Sequence, residues 1–217
     1  EDKLPVWNYN LRNPAAVREL ADEYIAAGAR IILANTFGAN GPAVRYASDY
    51  TVEEVVSAGV RIAREAAAGT GVQVALSAGP LTQLLEPYGR LKRAEVRQIY
   101  QEMLGAGMAE HPDLIMLQTF MDVEMMRIAA EAAMECGVPV FCTMTFERVG
   151  KTMMGNSVED VLQALTPLGI GAVGINCSLG PDLALPILRE FSEKTDLPLV
   201  FKPNAGKPIL KADGSAR

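Results

Sequence analysis

The sequence predicts a parallel α/β fold, and two observations carry that expectation. Short β-rich apolar runs alternate with longer stretches of helical spacing, which is the rhythm of repeated strand–helix units. Each run then ends in a polar or glycine-containing tip. The runs are ARIILANTF (29–37), GVQVALSAGP (71–80), DLIMLQTF (113–120), VPVFCTMTF (138–146), GAVGINCS (171–178) and LPLVFKPNAG (197–206).

The helices between them have readable ends. Asn13 precedes Pro14 as an N-cap before a first-turn proline, and Gly28 closes the same helix. Thr51 and Glu54 have capping-box spacing, and Asp122 and Ser157 offer caps to two later helices. DVEMMRIAAEAAMECG repeats apolar residues at helical spacing and stops at Gly137; its methionines read as core filling.

With 217 residues, 49% hydrophobic and 21% charged, the chain is long enough for one well-packed core. The net charge of −6 argues against a nucleic-acid partner, which normally calls for a basic patch. Cys136, Cys142 and Cys177 are an odd set without disulfide-scaffold spacing, and a reducing cytoplasm fits them best. No apolar run approaches the roughly 20 residues that span a bilayer, and EDKLPVWNYN lacks the regions of a signal peptide, so no membrane role is expected.

Neither GxGxxG nor GxxxxGK[ST] follows the first strand, so nucleotide-binding doubly wound folds lose their main support. A (β/α)8 TIM barrel gains by comparison. Such a barrel has eight strands, so the expectation is a single barrel domain over residues 1–217 that lacks the first and last strands. Strand one would precede Glu1 and strand eight would follow Arg217.

In a barrel the C-terminal strand tips converge on one pocket. Here they are polar and nearly uncharged. Asn35, Thr36, Ser77, Gln118, Thr119, Thr143, Thr145, Asn176, Ser178 and Asn204 suit a small zwitterionic ligand, although any one of them could merely cap a turn. The one histidine, His111, precedes a strand and sits at the wrong end for catalysis, which weakens histidine-based mechanisms. No acidic pair sits at two tips. Lys202 is the one charged group inside a tip motif, so a lyase working through a Schiff base is a rival reading. Of the cysteines, Cys177 alone lies at a tip. From its own surroundings it stays open between packing and chemistry, because one cysteine is neither a zinc site nor a catalytic dyad.

Taken together, AGARIILANTFGAN (27–40), SAGP (77–80), EPYG (86–89), TMTFERVGKTMMGN (143–156), GAVGINCSLGP (171–181) and KPNAGKP (202–208) resemble the zinc-dependent homocysteine S-methyltransferase family. Within it they are most similar to the homocysteine-binding barrel of cobalamin-dependent methionine synthases. The resemblance implies a (β/α)8 barrel that holds Zn²⁺ with three cysteine thiolates. One comes from the NCSLGP motif and maps onto Cys177; two adjacent ones come from a GGCCGT motif that has no counterpart in residues 1–217. A DGAMGT-like first strand is likewise without counterpart.

The implied chemistry gives the thiol a purpose. A free alkyl thiol, with a reference pKa near ~8.5, is mostly protonated at neutral pH, and zinc coordination deprotonates it. Three protein ligands leave the fourth position for the acceptor sulfur, and Asn204 is expected to orient the site or occupy that position weakly. Asn35, Thr36, Gln118, Thr119, Thr143, Asn176 and Ser178 are the expected substrate-binding residues. The resemblance implies a usual glutamate where this chain has Gln118, so the opposite charge for a substrate ammonium is missing. A loss on the order of 1–3 kcal/mol predicts weaker homocysteine binding, or a thiol acceptor without the amine.

The implied methyl donor is a methylcorrinoid carried by another domain or protein, with betaine or sulfonium compounds as alternatives. Trp7 and Tyr9 offer aromatic faces to a cationic donor, with packing at the barrel mouth as the plainer role. A non-catalytic, zinc-free barrel subunit that docks a corrinoid protein is the rival from outside enzymology.

Overall fold

All six apolar runs become strands of one parallel sheet in this computed structural model, which describes residues 4–147 and 149–206. The strands are β1 (Ile31–Leu33), β2 (Gln73–Ala78), β3 (Leu114–Phe120), β4 (Val140–Met144), β5 (Ala172–Asn176) and β6 (Leu199–Lys202), and their spatial order follows the sequence. Sequential neighbours in register, each joined by a crossover helix, are the topology of a partial (β/α) barrel. β1 is shorter than its apolar run because pairing to β2 ends at Leu33, and the chain then turns at Thr36.

The helices are α1 (Tyr9–Arg12), α2 (Pro14–Ala26), α3 (Gly41–Ala47), α4 (Val52–Ala67), α5 (Arg93–Met108), α6 (Val123–Met134), α7 (Val158–Leu165) and α8 (Pro181–Lys194). The expected caps form. Asn13 accepts from the Ala16 N–H, Asp122 from Glu124 and Met125, and Thr51 with Glu54 and Ser157 with Asp160 close reciprocal capping boxes. Gly28 and Gly137 follow α2 and α6 in left-handed conformations. None of the described helices is long and apolar enough to cross a membrane.

Strand alternation divides the sheet into two faces. Val74, Leu76, Ile115, Leu117, Val140, Cys142, Val173 and Ile175 pack with the helices in the main core. Ala75, Leu114 and Met116 form a separate small cluster on the other face, with Ile31, Leu33, Phe141 and Val200 against it. Continued toward the C-terminal ends, this second face presents Asn35, Ser77, Gln118, Thr143, Thr145, Asn176 and Lys202. Trp7 is buried in the main core and Tyr9 is exposed, so only Tyr9 keeps a face free for a ligand.

Gly174 shows how tightly the last two strands are fitted. A Cβ there would lie 2.0 Å from the Val200 carbonyl oxygen. Gly174→Ala is therefore expected to lower stability by about 1–3 kcal/mol by pushing β6 outward. Urea unfolding measures this; an unchanged midpoint would mean that β6 yields freely.

Candidate functional site

The site grows from β5. Asn176, its last residue, is buried, and its side chain ties three strands together. Its Oδ1 accepts from the Thr119 backbone N–H at 2.8 Å and from the Thr143 hydroxyl at 2.8 Å. Its Nδ2 donates to Thr119 Oγ1 at 2.7 Å and to Cys177 Sγ at 3.2 Å, and its carbonyl accepts from the Thr145 hydroxyl at 3.1 Å. All the hydrogen-bonding capacity of that amide is in use, which fixes its orientation.

The chain leaves β5 in a strained turn. Cys177 (φ 59°) and Ser178 (φ 57°) are both left-handed, a conformation that disfavours residues with a Cβ. Backbone bonds hold the turn: Cys177 N–H donates to the Lys202 carbonyl, Leu179 N–H to the Cys177 carbonyl, and Asn204 N–H to the Leu179 carbonyl. The result is an exposed thiol, 3.9 Å from Thr119 Oγ1. Thr119 is left-handed as well (φ 68°), at a register shift between β3 and β4, and that irregularity aims its N–H at Asn176. Cys142 is fully buried, and burial raises its thiol pKa; Cys136 is half-buried beside Glu135 and is also raised, chiefly by burial. Neither competes with Cys177 as an accessible sulfur.

A second chain of hydrogen bonds crosses the mouth. Lys202 Nζ donates to Gln118 Oε1 at 3.1 Å, and Gln118 Nε2 donates to Ser77 Oγ at 2.8 Å. Thr36, fully buried, donates its hydroxyl to the Ser77 carbonyl at 2.7 Å. Lys202 is exposed as a residue, yet its ammonium is partly withdrawn from water; desolvation lowers its pKa, opposed by the negative charge of a Cys177 thiolate. Asn35, Ser77, Gln118 and Lys202 line one end of a cavity of about 560 Å³ whose remainder is largely apolar, between α2 and β1.

The tips read from the sequence thus separate by position. Thr119, Thr143, Thr145, Asn176 and Cys177 come together around one amide, with Ser178 next in the turn. Gln118 lies across the mouth with Ser77 and Lys202. The Asn35 amide donates to the Val6 carbonyl and to Asn10 Oδ1, so it anchors the N-terminal segment. Asn204 meets the cysteine turn through its backbone. His111 is exposed before β3, away from the tips. Asn10, which donates to the Asn35 and Val55 carbonyls, escaped the sequence reading because nothing in YNLR marks a residue that acts on partners so distant in the chain. Strand alternation alone could have placed Ser77 and Lys202 on the face of Gln118.

Among the described residues no group of three His, Cys, Asp or Glu side chains could hold a metal ion. Cys177 fits one position of a thiolate set, being exposed, presented by a fixed turn and hydrogen-bonded at sulfur.

Comparison with known proteins agrees with this layout. Methionine synthase of Mycobacterium tuberculosis is 30% identical over 221 residues, covering 95% of this chain. Betaine–homocysteine S-methyltransferase 1 of Rattus norvegicus is 28% identical over 84% of the chain. The chain spans only 18% and 45% of those two relatives. The metallated crystal structure of the homocysteine methyltransferase MmuM from Escherichia coli superposes with a TM-score of 0.81 at 22% identity, covering 92% of this chain and 75% of that one, which shows the shared fold. The sequence profile of the homocysteine S-methyltransferase family matches residues 2–216, and the chain belongs to that family.

Proposed function

We propose that this chain is the acceptor-binding barrel of a zinc-dependent S-methyltransferase that methylates homocysteine or a related thiol, with a methylcorrinoid protein or domain as donor. The observation that carries the reading is Cys177, an exposed thiol held in a left-handed turn by Asn176 and tied through its backbone N–H to Lys202, which lines one end of the neighbouring cavity. The names of the mycobacterial and rat relatives supply the acceptor class. The sheet reads as six strands of an eight-stranded barrel, and the reaction belongs in a reducing cytoplasm, where the thiol stays free.

Cys177 would be one zinc ligand, with two further thiolates from outside the described residues and Asn204 as a displaceable fourth donor. When bound there, zinc supplies the acceptor as a thiolate at neutral pH. The remaining work falls to the chain. Asn176 directs an N–H at Cys177 Sγ and so fixes the sulfur's position and tempers its charge. Thr119 and Thr143 lock Asn176, while Thr36 holds the neighbouring tip at Ser77 and Asn35 ties the N-terminal segment to the mouth. Thr119 and Ser178 flank Cys177 on the acceptor's side, and Gln118 positions Lys202 across the mouth. In the transfer, the sulfur–methyl bond forms as the donor–methyl bond breaks, and the thiol proton leaves to solvent.

The test is methylation of homocysteine by methylcobalamin, betaine or S-methylmethionine, using the natural full-length protein before and after chelation. Product formed with methylcobalamin, lost on chelation and restored by Zn²⁺, is the expected result. Transfer that ignores chelation, or no transfer from any of the three donors, overturns the reading.

A further inference from the structure

Lys202 stands out as a cation at the strand tips with no carboxylate partner among the described residues. The lysine–carboxylate pairs among the described residues are those of Lys194 with Glu159 and Glu190; Lys202 has none. Its ammonium reaches from β6 across to Gln118 on β3, and both ends of the Gln118 amide are then occupied, the oxygen by Lys202 and the nitrogen by Ser77. An ammonium has three donors, and Gln118 uses one. Lys202 lines a cavity in which it is the one charged residue, the other polar lining coming from Tyr9, Tyr24, Asn35, Ser77 and Gln118. A ligand ammonium entering there would meet a like charge and an amide oxygen already engaged. A ligand carboxylate would meet a cation that has no carboxylate partner among the described residues, in a partly desolvated place where charge-assisted hydrogen bonds are strongest.

We propose that Lys202, positioned by Gln118, is an anion subsite that recognises the acceptor by its carboxylate, so that an α-amine is dispensable. This deepens the methyl-acceptor reading and rests on it. The cysteine turn lies alongside, since Cys177 N–H donates to the Lys202 carbonyl, so an acid group at Lys202 leaves the rest of a short chain to run toward Sγ. Lys202 acts here as a fixed charge that sets specificity, with no proton transfer asked of it.

The experiment measures binding of two thioethers by calorimetry, so that neither thiol activation nor turnover enters the readout. One is 4-(methylsulfanyl)butanoate, which keeps the acid and lacks the amine; the other is 3-(methylsulfanyl)propan-1-amine, the reverse. In the natural full-length protein the acid is expected to bind at least about tenfold more tightly, the usual worth of a hydrogen bond to a charged group. Lys202→Met should abolish that preference and Lys202→Arg should keep it. Gln118→Glu, which gives Lys202 an internal partner, should weaken the acid and favour the amine. Circular dichroism establishes that each variant is folded.

Equal binding of acid and amine, a ratio that Lys202→Met leaves within about twofold, or no binding of either compound overturns the anion subsite. If that happens while homocysteine is still methylated, the methyltransferase reading stands without it. If the acid preference is found while no thiol is methylated, the subsite stands and the chemistry assigned to the barrel falls.

Discussion

Cys177→Gly is expected to reduce thiol methylation to background while leaving the fold as stable as before, within about 1 kcal/mol. Cys177 occupies the left-handed region at φ 59°, where any residue with a Cβ is strained by roughly 1–3 kcal/mol and glycine is not. Against that relief stand the greater freedom of glycine in the unfolded chain and the loss of the Asn176 hydrogen bond to sulfur. The side chain is exposed, so no packing is lost. Cys177→Ala keeps the strain, lacks the sulfur, and should be the less stable of the two. Thermal unfolding beside an activity assay decides this. A glycine variant well below the alanine variant would show that the turn holds no strain, and one that still methylates thiols would remove Cys177 from the chemistry. Residues held in such costly conformations cluster at functional sites, which is why this variant is the informative one.

Asn176→Ala should have the opposite profile, with loss of stability and of activity together. Truncation removes the acceptor of the Thr119 N–H and of the Thr143 hydroxyl, as well as the donor to Cys177 Sγ. Buried groups left without partners cost about 1–3 kcal/mol each, so a total near 3 kcal/mol is expected. For a chain of this size that lowers Tm by roughly 6–12 °C. Asn176→Asp is the informative companion, because it keeps the accepting oxygen and replaces the donor with charge beside the sulfur. It should retain more stability than the alanine variant and still lose methyl transfer. Equal activity of Asn176→Asp and the native protein would show that the N–H to sulfur has no part in the reaction.

Much of this was legible before any coordinates, and the particular elements show why. Thr51 with Glu54, Ser157 with Asp160 and Asn13 before Pro14 announce their helices, since a cap is settled within four residues. The six apolar runs announce their strands: β2 to β5 are buried on both faces, and β1 and β6, though only partly buried, keep the same apolar character. GINCSLGP marked Cys177 through its setting at a strand end and through likeness to the family. What the sequence could not disclose are relations between residues far apart in the chain. The Lys202–Gln118 contact spans 84 residues and the Asn176–Thr119 contacts span 57.

The sequence by itself therefore determined the alternation of elements, where they start and stop, and the polar, nearly uncharged character of the strand tips. These follow from local backbone preference and from hydrophobic period. Only the tertiary structure decided which tip residues share a face, that the register shift at Thr119 turns its N–H toward Asn176, and that Lys202 reaches Gln118 with no carboxylate partner among the described residues. The physical reason is that hydrogen bonds between non-adjacent strands depend on register and on the curvature of the sheet, both set by the packing of the whole core rather than by any single segment.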